Sequence, residues 1–262
     1  MAGSGKRKGT RRTRVIAAAF VGVAVIASAG AAVWFVVARS DAPAGPPTAA
    51  IVDQLSVTFP NPAFAEETRA TLEEAGYAVD YYANEDVTVD FYRRLPFHNY
   101  DLIIFRSHAD RLQATSTSGE QVDEVILFTS EPYSTERYQN EQAANDLVIA
   151  RYTRDGEPYF GVAAGFIRGS AAEYDGATII MMGCEGLLSD RTAAAFVDRG
   201  AEVYISWDES VTATHTDAAT ERLLEHLVVE GLPPDDAVAR TMSDVGPDPI
   251  YGSRLLAYPA GG

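Results

Sequence analysis

Two apolar stretches of this 262-residue sequence each lead into a side chain that could do chemistry. Cys184, the single cysteine, follows the apolar run 177–183, and His108 follows the apolar run 101–105. A thiol acts as a nucleophile when a base lies near the sulfur and donors stabilise the oxyanion that forms. We therefore interpret Cys184 as a candidate nucleophile and His108 as its candidate base. The alternatives are a buried structural thiol, which is common for free cysteine, and a surface histidine without a partner.

The elements around these two residues predict an α/β fold with a mostly parallel central sheet. Strands at 49–58, 77–82 and 101–105 alternate with helices at 61–75 and 89–95, which calls for right-handed crossovers. The cysteine strand is followed by a helix capped by Ser189 or Asp190, a strand at 201–207, a helix capped by Thr216, a helix at 233–242 and a final strand at 254–258. If the strands before His108 and Cys184 are parallel neighbours, both side chains emerge at the same edge of the sheet.

The middle of the chain predicts a small antiparallel insertion, over about 111–165. Residues 111–123 are polar and predict a loop, and short strands are expected at 124–129, 147–152 and 158–162. A short helix is expected at about 166–174.

The amino terminus predicts a membrane anchor. Residues 1–14 form a basic tail without acidic residues, and residues 15–38 are uncharged and mostly apolar. A helix of that length reaches about 36 Å, enough to cross a hydrocarbon core of about 30 Å. The positive tail is expected to stay in the cytoplasm, so a linker at 39–48 would lead to an extracytoplasmic domain at 49–262. The alternative is a cleaved signal peptide, since Ala27-Ser28-Ala29 resembles a cleavage site.

Charge and composition restrict the partners of the outer part. The whole chain has a net charge of −16, and beyond Arg39 the 37 acidic residues against 14 basic ones give −23. Such a surface repels nucleic acid.

The sequence has no glycine-rich phosphate loop and no cysteine–histidine metal spacing, so we expect no cofactor and no metal. His108, Asp110 and Cys184 alone offer too few ligands for a convincing zinc site. Of the other histidines, His215 could border a site, His226 is expected to be structural and His98 has no special placement.

Ser107-His108-Ala109 and Gly183-Cys184-Glu185-Gly186, each at a strand end, resemble the cysteine peptidases of the caspase-like fold. Residues 200–207, the helix at 217–230, Gly231-Leu-Pro with Ala237, and the segment 248–256 are most similar to gingipains and CHAT domains. The resemblance covers roughly residues 49–258, and its second half is the more specific. Where these enzymes usually have Ser-His-Gly, this chain has alanine at position 109.

The resemblance implies a three-layer caspase-like sandwich and a cysteine endopeptidase that acts on protein or peptide substrates. Cys184 would be the nucleophile and His108 the general base, with an oxyanion hole made by the N–H groups of Ala109 and Cys184. Trp207, Asp208 and Glu209 would line the substrate cleft, where a carboxylate could bind a basic side chain. A core tryptophan and ordinary solvated carboxylates are the alternatives for these three. A catalytically silent interaction module and a transpeptidase with the same dyad stay open as alternatives for the whole domain.

Overall fold

The computed structural model describes residues 45–115 and 121–259. The strands, in chain order, are β1 (Thr48–Asp53), β2 (Ala78–Ala83), β3 (Leu102–Arg106), β4 (Ala109–Thr115), β5 (Gln121–Pro132), β6 (Leu147–Ala150), β7 (Tyr159–Val162), β8 (Thr178–Met181), β9 (Val203–Trp207) and β10 (Leu255–Tyr258). Six of them form a sheet in the order β10-β9-β8-β3-β1-β2. All of its pairs are parallel except β10 with β9, so the predicted mostly parallel α/β sheet is confirmed.

Helices cover both faces of the six-stranded sheet. In chain order they are α1 (Pro62–Glu74), α2 (Val89–Arg94), α3 (Gln139–Ala144), α4 (Ala164–Arg168), α5 (Arg191–Asp198), α6 (Ala213–Leu224) and α7 (Pro234–Val245). The apolar sides of α1, α6 and α7 pack in one core cluster with alternate residues of the strands. Those of α2, α4 and α5 pack in a second cluster with the intervening strand residues. This two-sided burial explains why β3 and β9 are apolar almost throughout.

The predicted antiparallel insertion is also confirmed, although its first part was assigned incorrectly. The strands β4, β5, β7 and β6 form a four-stranded antiparallel sheet in that order. Residues 111–123 were expected to be a loop, but β4 runs to Thr115 and β5 begins at Gln121. The polar sequence misled the prediction because this hairpin is partly exposed: Asp110, Arg111 and Gln113 of β4 face solvent.

Two further local predictions were wrong. The first strand was expected to reach residue 58, but β1 ends at Asp53 and a 3-10 turn, Gln54–Ser56, follows. Thr216 was expected to cap a helix, whereas α6 begins earlier, after Thr212. The Thr216 hydroxyl instead accepts a hydrogen bond from the Trp207 indole (2.9 Å) and donates to the Met182 carbonyl (2.9 Å), so it joins α6 to the sheet.

The predicted basic tail at 1–14, the transmembrane segment at 15–38 and most of the linker at 39–48 lie outside the described residues. Within the described ranges, no helix has the length and apolar character needed to cross a bilayer.

Candidate functional site

The sheet brings the two candidate residues to the same edge. β3 and β8 are hydrogen-bonded parallel neighbours, with Phe105 opposite Met181, and the Met182 N–H donates to the Phe105 carbonyl (2.9 Å). His108 and Cys184 each come three residues after this last pair of the register. The adjacency on which the sequence interpretation depended is therefore present.

The two turns that follow these strands are in direct contact at Gly183. A Cβ atom at this position would lie 2.5 Å from the Ser107 carbonyl oxygen and 3.1 Å from the Ala109 Cβ. Any side chain larger than hydrogen would push the turns apart. Gly183 thus allows the segment before the thiol to lie against the segment that carries His108.

Cys184 has a half-buried thiol whose polar contacts are with the backbone of Val211. The Val211 N–H donates to the sulfur and the thiol donates to the Val211 carbonyl, both at 3.5 Å. The side chain packs against the core cluster of α1, α6 and α7. Burial raises the pKa of the Cys184 thiol; the bond from Val211 opposes this, while the charges of Glu185 and Asp248 add to it.

The turn after the thiol is tied to the loop that follows β9. Glu185 has a left-handed backbone (φ 61°), and its N–H donates to the Glu209 carbonyl (3.0 Å). The Ser210 hydroxyl donates to the Glu185 carboxylate (3.1 Å). These bonds hold the backbone around Cys184 in one conformation.

Asp248 in turn fixes the loop that contacts the sulfur. One of its carboxylate oxygens accepts from the Thr212 N–H (2.9 Å) and hydroxyl (2.8 Å), and the other accepts from the N–H groups of Ile250 and Tyr251. Burial alone would raise the pKa of Asp248, but these donors outweigh it and hold the pKa at about 2. The carboxylate is therefore ionised, and by holding Thr212 it keeps the preceding residue, Val211, beside the thiol.

The imidazole of His108 lies among aromatic rings. Its centroid is 4.8 Å from that of Tyr152, 5.6 Å from Phe59 and 5.7 Å from Phe128. Within the described part of the chain the ring has no hydrogen-bond partner, so none joins it to Cys184. Burial lowers the pKa of His108 to about 4, and the imidazole is neutral at physiological pH.

Ala109, the predicted oxyanion donor, begins β4 with its N–H turned away from β5. The Phe128 N–H donates to the His108 carbonyl (3.1 Å), so this single bond continues the register of the β4–β5 ladder by one residue. The next residue of such a ladder directs its N–H to the opposite side. Since β4 is at the edge of its sheet, the Ala109 N–H is not used by a neighbouring strand.

The three residues predicted to line a substrate cleft differ in their placement. Trp207 is 0 % exposed, so it is a core residue, the second of the two roles that the sequence allowed. Asp208 is half-buried and its carboxylate accepts from the Arg254 N–H (2.7 Å) at the start of β10. Glu209 is exposed next to the cysteine turn. Of the three, only Glu209 presents a solvent-exposed carboxylate.

The remaining histidines have structural surroundings. His226 is buried between Asp244 (3.0 Å) and Glu230 (3.2 Å), as predicted. A ring nitrogen of His215 lies 3.2 Å from the Gly246 carbonyl, and His98 is stacked on Tyr100.

A buried ion cluster beneath His108 was missed from the sequence. Arg106 is 1 % exposed and pairs with Asp53 (2.9 Å) and with both carboxylate oxygens of Asp217 (2.9 and 3.0 Å). Its guanidinium also donates to the carbonyl of Phe59 (2.9 Å), whose ring contacts His108. One signal was visible: β1 and β3, two neighbouring strands, end in residues of opposite charge, Asp53 and Arg106, that are in register.

Comparisons with known proteins add little to this description. No family model matches the chain. No curated protein matches it. Among solved structures, the chain is similar to a crystal structure of a protein from Geobacter sulfurreducens, with 12% sequence identity over 81% of this chain and 93% of that one, and a TM-score of 0.40. A likeness this low has no bearing on the site.

Proposed function

We propose that this chain is a membrane-anchored, extracytoplasmic cysteine endopeptidase of the caspase-like fold. Cys184 attacks the peptide carbonyl and His108 takes the thiol proton and later delivers it to the leaving amine. One observation supports this most directly: β3 and β8 are parallel neighbours that lead to His108 and Cys184, and Gly183 brings the two following turns into contact.

The protonation states are compatible with a general-base mechanism. Burial lowers the pKa of His108 to about 4, so its ring is unprotonated but a weak base, and the raised pKa of Cys184 keeps the thiol protonated; both shifts make proton transfer between the two unfavourable in the free protein. The nucleophile is then generated by proton transfer during the reaction rather than stored as a thiolate. The Ala109 N–H, unused by β5, and the Cys184 N–H would stabilise the oxyanion.

The substrate is proposed to be a peptide with a basic residue before the scissile bond. Glu209 lies in the loop after β9, next to the cysteine turn, and is exposed. Its carboxylate can therefore pair with an arginine side chain of the substrate. The net charge of −23 beyond Arg39 would attract cationic peptides over a longer range.

The anchor and its orientation belong to the same proposal. The basic tail at 1–14 and the apolar segment at 15–38 would hold the domain outside the cytoplasmic membrane.

A catalytically silent interaction module is the second candidate, and a specific observation favours it. The imidazole of His108 is enclosed by aromatic rings and makes no hydrogen bond with Cys184, while burial raises the pKa of the thiol. A buried thiol with these properties is typical of a structural cysteine. A transpeptidase would use the same two residues and would differ in the acceptor that receives the acyl group.

A peptide-cleavage assay with the full-length chain in detergent tests the proposal. We expect the wild type to cleave members of a peptide library that carry arginine or lysine, and Cys184→Ala and His108→Ala to lose this activity. His98→Ala is the matched control, because His98 is exposed and stacked on Tyr100 away from both turns. Equal inactivity of the wild type and Cys184→Ala would favour the silent module. Mass spectrometry of the products separates hydrolysis from transpeptidation.

A further inference from the structure

Gln54 connects His108 to the antiparallel sheet. This glutamine is 0 % exposed, in the turn after β1. Its side-chain oxygen accepts from the His108 N–H (3.1 Å), and its side-chain nitrogen donates to the Tyr152 hydroxyl (2.5 Å). A buried amide with both ends bonded has a fixed orientation, so it ties the backbone of His108 to Tyr152.

Tyr152 also covers the imidazole directly. It follows β6, and its ring centroid is 4.8 Å from that of His108. Phe128 and Tyr159 pack against the same tyrosine ring at 5.3 and 5.0 Å, so the second sheet holds it in place. Phe59, which is half exposed, contacts the imidazole as well.

The imidazole is partly buried, and its ring contacts are with aromatic side chains. Burial is the cause of its lowered pKa of about 4. Of the aromatic side chains around it, Tyr152 is the titratable one, and burial raises its pKa to about 12, so it is neutral as well. Arg106, the buried cation two residues before His108, is paired with Asp53 and Asp217.

We propose that Tyr152 and Gln54 are positioning residues for His108: Tyr152 excludes water from the imidazole, and Gln54 fixes the backbone from which it projects. The antiparallel sheet thereby controls the protonation of the histidine. The next inference rests on the proposed function. If His108 is the base, the Tyr152 ring keeps its imidazole unprotonated in a mildly acidic medium. Displacement of Tyr152 would let the imidazole protonate and would shift the acid limb of the pH–activity profile upward.

The test is the titration of His108 in the full-length chain, followed by NMR of ¹³C-labelled histidine and assigned with His108→Gln. We expect a pKa near 4 in the wild type and a rise toward the free value of about 6.5 in Tyr152→Ala, because water reaches the ring. Tyr152→Phe keeps the ring and should keep the low pKa. It should also speed hydrogen exchange of the His108 amide, since the Gln54 amide nitrogen loses the Tyr152 hydroxyl and keeps only its longer contact with the Ser130 hydroxyl (3.5 Å).

Two further variants are measured in the same way, one that also exposes the imidazole and one control. Phe59→Ala changes an exposed side chain, folds without a core defect and should also raise the His108 pKa. Tyr133→Phe is the matched control, because it removes a tyrosine hydroxyl bonded to Gln142 (2.6 Å) near the same sheet without touching His108.

An unchanged His108 pKa in folded Tyr152→Ala would overturn the inference, as would an equal shift in Tyr133→Phe. The titration needs no substrate, so its result stands whether or not the chain cleaves peptides. If peptides are cleaved but the acid limb of kcat/KM stays in place in Tyr152→Ala, the positioning role fails while the peptidase proposal survives.

Discussion

Replacing Arg106 should be among the most destabilising single changes in the described part of the protein. In Arg106→Met, the carboxylates of Asp53 and Asp217, which are 2 % and 5 % exposed, lose the guanidinium that compensates their charges. The Phe59 carbonyl also loses a donor. Removing one partner of a buried pair costs about 3–5 kcal/mol, a large part of the roughly 5–15 kcal/mol that stabilises a typical domain.

Urea unfolding of the full-length chain, followed by circular dichroism, measures this loss. Arg168→Met is the matched control, because the same substitution there breaks a surface pair with Asp198 (3.2 Å) and should cost about 0–1 kcal/mol. The triple change of Arg106→Met, Asp53→Leu and Asp217→Leu should be less destabilised than Arg106→Met alone, since no unpaired buried charge remains. Equal stability of Arg106→Met and Arg168→Met would refute the reasoning.

Three other predictions concern the cysteine turn and its supports. Because burial raises its pKa, Cys184 should react with iodoacetamide more slowly at pH 8.5 in the native chain than in urea; a faster native reaction would contradict the described environment. Gly183→Ala should lower the free energy of unfolding by about 1–3 kcal/mol and separate the two turns, whereas Gly45→Ala, with nothing within 4 Å, should be neutral. The pKa of Asp248 is depressed from 3.8 to about 2, so its stabilisation is complete above pH 5 and is lost as the pH falls through about 2. Asp248→Asn should therefore cost on the order of 2 kcal/mol at pH 7 and much less at pH 2, and a gap independent of pH would exclude this role.

The sequence predicted the parallel sheet because its signals are local. Each strand is a short apolar run, and Asn61 and Gly76 mark the ends of α1 as expected: the Asn61 side chain accepts from the Phe64 N–H, and Gly76 has a φ of 92°. The adjacency of β3 and β8 was only a condition of the sequence interpretation, and the structure shows that it is met.

The parts that could not be predicted depend on contacts between distant segments. Burial of Arg106 requires Asp217, more than a hundred residues later in the chain, and the cover of His108 by Tyr152 requires the second sheet to pack over the end of β3. Thr216 was predicted as a helix cap from its type and position, but Trp207 and Met182 engage its hydroxyl. The residues next to a hydroxyl in the sequence do not determine which distant group it forms a hydrogen bond with.

The pairing of β3 with β8 has a consequence for how the protein is made. Leu102 is opposite Thr178, and the whole antiparallel sheet lies between them in the chain. Closing so long a loop is entropically costly and is slow compared with forming hairpins such as β4–β5. The two candidate reactive residues therefore stay apart during synthesis until the segment through β8 has emerged and docked. A nascent or truncated chain that lacks β8 contains His108 but no site.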